Sequence, residues 1–78
     1  MPKLPAIKGK ELKKFCEKLG FTVSRQRGSH IRMKHTDGRV TTIPVHSGKD
    51  IPQGLLRKII REDLEISAEE FLSLYMEF

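Results

Sequence analysis

The chain has one cysteine, no tryptophan and no long apolar run, and residues 62–78 contain no lysine or arginine. Each absence removes a class of protein. The lone Cys16 excludes an internal disulfide and a multi-cysteine metal site, and it suits a small core residue in a reduced protein. Without about 20 consecutive apolar residues no helix spans a bilayer. Met1-Pro2-Lys3-Leu4-Pro5 is broken by prolines and a charge, which predicts no signal peptide and a cytoplasmic location. Seventy-eight residues predict one domain over 1–78, with no room for a second core.

What the chain does have is positive charge, unevenly placed. All 15 lysines and arginines lie in residues 1–61 against four acids (Glu11, Glu17, Asp37, Asp50), a net of +11. Residues 62–78 carry six acids and no cation, a net of −6. A basic body with a separate acidic end fits a polyanion-binding surface, although small soluble proteins also show such imbalances.

Leu12, Phe15, Cys16 and Leu19 recur at helical spacing and predict a helix from Gly9-Lys10, stopped by Gly20. Lys10, Lys14 and Lys18 form its solvated face. Phe21–Gln26 and His30–His35 both alternate apolar and polar residues and predict strands. In the second, Ile31 and Met33 would face the core while His30, Arg32 and Lys34 share the other face. Asp37-Gly38 signals a tight turn into a third strand, Val40–Val45, with Ile43 and Val45 inward. Pro44 cannot donate to a ladder, so that strand is expected at an edge. A second helix is predicted from Pro52 to Asp63, capped by Asp50 and buried through Leu55, Leu56, Ile59 and Ile60. Ser67 and Glu70 match a capping box, and Ile66 with Phe71 a hydrophobic staple, for a third helix continuing through Leu74, Tyr75 and Phe78. The fold expected is α+β, α-β-β-β-α with an added short C-terminal helix. Its helices would cover one face of a three-stranded antiparallel sheet and leave the other free.

The chemistry concentrates at Gly28-Ser29-His30, flanked by Arg25, Arg27, Arg32 and Lys34. Histidine can take or give a proton near physiological pH. Gly28 admits a tight turn and the close approach of a large substrate. RNA cleavage needs little more: a base for the ribose 2′-OH proton, and cations for the charge that grows on the phosphoryl oxygens. The plain alternative is a surface histidine that only bonds backbone in a hairpin. His30, His35 and His46 have no cysteine pair or carboxylate cluster among them, so no metal site and no cofactor are expected.

Four stretches together resemble the HicA family of toxins from toxin–antitoxin systems: Lys18-Leu19-Gly20-Phe21, Arg27-Gly28-Ser29-His30, Ile43-Pro44-Val45-His46, and Leu55-Leu56-Arg57-Lys58-Ile59-Ile60-Arg61-Glu62. The resemblance runs over nearly the whole chain. It implies a double-stranded-RNA-binding-domain-like fold, a metal-independent mRNA endonuclease with His30 as the catalytic residue, and a HicB-type antitoxin covering the active face. RNA contacts are expected at Arg27, Gly28, Ser29, Arg32, Lys34, His46 and Lys49, with His46 also the candidate for a second acid–base group. The chain departs from the family at Ile51-Pro52 and in the long extension Ser67–Phe78, which bears on antitoxin docking rather than on cleavage. Two other readings stand beside this one: a module that grips structured RNA without cutting it, and a protein-interaction module that adds a partner strand at the Pro44 edge.

Overall fold

The computed structural model describes residues 3–78; Met1 and Pro2, with the part of the leader reading that rests on them, lie outside the described residues. Helix α1 spans Gly9–Lys18. Strands β1 (Thr22–Arg27), β2 (His30–Lys34) and β3 (Val40–Pro44) follow, then α2 (Gln53–Lys58), a π-helical turn (Ile59–Asp63) and α3 (Ala68–Met76). The strands form an antiparallel sheet in the order β1-β2-β3, so β3 is an edge strand, as Pro44 requires. This is the expected α+β order, consistent with a double-stranded-RNA-binding-domain-like fold. Among the described residues no helix is long and apolar enough to cross a membrane.

α1 starts where the Lys8 backbone N–H donates to Glu11 Oε1 at 3.0 Å. It ends at Gly20, whose φ of 105° belongs to the left-handed region. Its face of Leu12, Phe15 and Cys16 is buried against Ile31, Met33 and Ile43 of the sheet and Leu56, Ile59 and Ile60 of the second helical segment. Leu4, Ile7 and Ile51 join the same core. They are held by an Ile51 N–H to Ile7 O bond of 2.8 Å and a Lys8–Asp50 bridge. Asp50 is therefore not the cap of α2. It pairs with Lys8 at 3.5 Å, and Pro52 occupies the cap position with no side-chain hydrogen bond.

Two further expectations are corrected. Phe21 precedes β1 rather than opening it, and it is buried beside His35 and Arg39. Every residue of β1 is exposed, Val23 included, because β1 is the outer edge and the helical layer does not reach under it. The second helix reaches Asp63 as expected, but its last turn is π-helical, with the Leu64 N–H bonded to Ile59 O at 2.9 Å. That turn lets Asp63 accept from the buried Thr41 hydroxyl at 2.9 Å while Ile59, Ile60 and Leu64 all stay buried. Ser67 caps α3 by accepting from the Glu70 N–H at 3.0 Å, and Phe71 enters the core edge-on to Phe15.

Candidate functional site

The outer sheet face is set by the register. Ile31 and Met33 are buried, so His30, Arg32 and Lys34 face outward. On β1 a bulge between Val23 and Arg25 inserts one residue. The two-residue Gly28-Ser29 hairpin sets Arg27 opposite His30 and Arg25 opposite Arg32; the bulge acts beyond them and brings Val23 opposite Met33 instead of Lys34. The hairpin register and strand alternation thus place Arg25, Arg27, Arg32 and Lys34 on the face that carries His30. None of the four has a carboxylate partner among the described residues. Such a patch attracts a polyanion and holds it by its phosphates.

His30 is placed by the hairpin. Arg27 and His30 pair directly, leaving Gly28-Ser29 as a two-residue loop. Gly28 has φ 58°, the first central position of a tight hairpin turn, where glycine adopts a positive φ without strain. The Ser29 carbonyl accepts from the Val45 N–H at 2.6 Å, which ties this loop to the end of β3. His46 is the next residue, and its ring centroid lies 6.4 Å from that of His30, the planes at 83°. Both histidines are exposed, and neither ring makes a hydrogen bond within the described residues. Lys49 shares the loop: its N–H donates to His46 O at 3.1 Å. Of the eight expected positions, Arg27, His30, Arg32 and Lys34 lie on the outward sheet face, Gly28 and Ser29 form the adjoining hairpin, and His46 stands beside His30. Lys49 follows three residues after His46 in the same loop.

His35 is different. The Asp37 N–H donates to its Nδ1 at 3.1 Å, so Nε2 carries the proton and donates to Leu19 O at 3.0 Å. This histidine ties the β2–β3 turn to the end of α1. Arg39 braces the same turn, with its guanidinium on Asp37 at 2.8 Å and Leu64 O at 2.6 Å. The Arg39 backbone N–H, and then its guanidinium, hold the Asp37 carboxyl below the usual carboxylate range. Burial pushes the Cys16 thiol up to about 12, so it is no nucleophile. Among the described residues no group of three or more His, Cys, Asp or Glu side chains is arranged to hold a metal ion.

Beside His30 a groove of about 540 Å³ passes the β3 edge. It is lined by His30, Arg32, Thr42 and Pro44 from the sheet and by Leu55, Lys58, Ile59 and Asp63 from the second helical segment. Arg25, one of the cations flanking the hairpin, and Lys58 lie outside the RNA contacts expected from the sequence. Arg25 shares the face of Arg27 by strand alternation, and Lys58 is placed by how α2 packs across the edge.

No curated protein matches the chain. The family model described as the HicA toxin of bacterial toxin–antitoxin systems matches residues 9–64, from the start of α1 to the end of the π turn. The match takes in the Gly28-Ser29-His30 hairpin, the charged sheet face and His46, and it stops before α3. The chain belongs to the HicA toxin family.

Proposed function

We propose that this toxin is an mRNA endoribonuclease in which His30 acts on the ribose 2′-hydroxyl. The observation that carries the reading is an exposed histidine, free of hydrogen bonds within the described residues, among four unpaired cations on the open face of the sheet. The cations would hold the phosphates on either side of the cut and take up the charge that grows on the phosphoryl oxygens. Removal of the 2′-hydroxyl proton lets that oxygen attack the adjacent phosphorus, so DNA, which lacks the group, is not a substrate. The step asks nothing of a metal ion. A HicB-type antitoxin would be expected to cover this face, its carboxylates against Arg27, Arg32 or Lys34, and to exclude RNA.

His30→Ala tests the reading. The side chain is exposed, so its loss leaves no core cavity and the domain stays folded. Growth arrest on induction and cleavage of RNA should both disappear while circular dichroism is unchanged. A folded His30→Ala protein that still cuts RNA refutes the catalytic role. One that binds RNA as the parent does, when the parent itself cuts nothing, makes the protein a binding module.

A further inference from the structure

We propose that His46 is the general acid of the same reaction, delivering a proton to the departing 5′-oxygen while His30 takes one from the 2′-hydroxyl. The inference rests on the endoribonuclease reading above and adds to it a second catalytic residue.

Two features place His46 for this work. The first is distance. The His30 and His46 rings face each other edge to face with centroids 6.4 Å apart, too far to bond each other directly. Each transferring nitrogen needs only a hydrogen-bond reach of about 3 Å to its oxygen, so one phosphodiester lying across the exposed edges of both rings is within reach of the pair. In an in-line displacement the attacking and leaving oxygens lie on opposite sides of phosphorus. Two proton-transfer groups flanking one gap match that need.

The second feature is how firmly the pair is held. His30 sits opposite Pro44 in the β2–β3 ladder, and the Ser29 carbonyl bonds the Val45 N–H, so the chain on both sides of the pair is cross-linked. Gly9 at the start of α1 packs so closely on Pro44–Val45 that a Cβ there would fall on the Pro44 carbonyl oxygen. The far side of the loop is fixed by the Lys49 N–H to His46 O turn and by the Ile51–Ile7 bond. The His46 ring is nonetheless exposed and spends neither nitrogen on the protein's described residues, unlike His35, which spends both.

The step balances without a co-reactant. The 2′-O–P bond forms as His30 accepts the hydroxyl proton. The P–5′-O bond breaks as protonated His46 gives its proton to that oxygen. The products are a 2′,3′-cyclic phosphate and a 5′-hydroxyl, and water returns both rings to their starting states.

The test uses the full chain and two RNA substrates of one sequence, the second with sulfur in place of the bridging 5′-oxygen. A thiol ionises near pH 8.5, so the sulfur leaves as a thiolate without a proton. His46→Ala should lose about 10²–10⁴-fold in kcat on ordinary RNA, the range of general acid catalysis, and most of that loss should vanish on the sulfur substrate. His30→Ala should stay inactive on both. His46→Ala cleaving ordinary RNA at the parent rate overturns the proposal. So does a loss that the sulfur substrate does not restore, which would make His46 a binding residue. If the parent protein cuts neither substrate, the endoribonuclease reading itself fails, and the acid–base pair fails with it.

Discussion

Phe71→Ala asks whether α3, which the family match leaves out, belongs to the core or merely decorates it. Phe71 is 0% exposed. Its ring meets Phe15 of α1 edge-on at 4.9 Å and stacks on Tyr75 at 5.5 Å, and Phe78 closes on Phe15 from 5.8 Å. Truncating a buried phenylalanine costs about 3–5 kcal/mol, the lost burial plus the cavity. A 78-residue domain has roughly 4–12 kcal/mol in total, at about 0.05–0.15 kcal/mol per residue. The variant should therefore lose a quarter or more of its stability, and in the least stable case all of it. At about 4–8 °C per kcal/mol for a domain of this size, Tm should fall by about 12 °C or more. Leu74→Ala, on the exposed side of the same helix, should cost under about 1 kcal/mol and serves as the control. Urea unfolding followed by circular dichroism reads both variants. The site lies on the other face of the sheet, so cleavage per folded Phe71→Ala molecule should match the parent. A Tm within a few degrees of the parent refutes the reasoning and makes α3 peripheral to the Phe15 core.

The elements that were legible from the sequence are those whose signal is local. Gly20 stops α1 because a left-handed residue is needed there, and Ser67 caps α3 through its own side chain. Ile31 and Met33 name the buried side of β2 because that strand is central and covered. β1 reads like β2 by alternation, yet none of its residues is buried, since burial depends on how far the helical layer extends. The bulge at Ser24 is equally silent. Its effect is visible only in pairing, and it decides that Val23 rather than Ser24 lies opposite Met33. Asp50 looks like a helix cap because it precedes Pro52, but a long-range bridge to Lys8 takes it. For the site, Gly28-Ser29-His30 could be read from the residues. The approach of His46 could not, because it depends on the β2–β3 register and on one hydrogen bond from Val45 to Ser29.

The remaining predictions concern charge, the thiol and one close contact. Arg25→Ala and Arg32→Ala should each lower the salt slope of single-stranded RNA binding by about 0.7, measured by titration at several salt concentrations; an unchanged slope in both moves the RNA track off the sheet. Asp37 has a lowered folded pKa, so its contribution is present above the ordinary carboxyl pKa and is lost as pH falls through the folded one. Asp37→Asn should flatten the acid limb of Tm against pH, and an identical limb refutes this. Cys16 should resist iodoacetamide at pH 8 in the native protein and react in urea; native labelling refutes its burial. Gly9→Ala sets two effects against each other. Helix propensity alone predicts a gain of about 0.5–1 kcal/mol from replacing a helical glycine by alanine. Packing predicts the reverse, because the new methyl would fall on the Pro44 carbonyl oxygen and 2.9 Å from Val45 Cα. Both atoms are backbone and cannot swing aside as a side-chain tip would, so the strand end has to move, at the cost of about 1–3 kcal/mol typical of overpacking. The same shift carries His46 away from His30, so cleavage per folded molecule should fall while RNA affinity, set by the sheet cations, holds. Urea midpoints and cleavage rates on one preparation decide it, and a stabilised Gly9→Ala protein with the parent's rate refutes both halves of the argument.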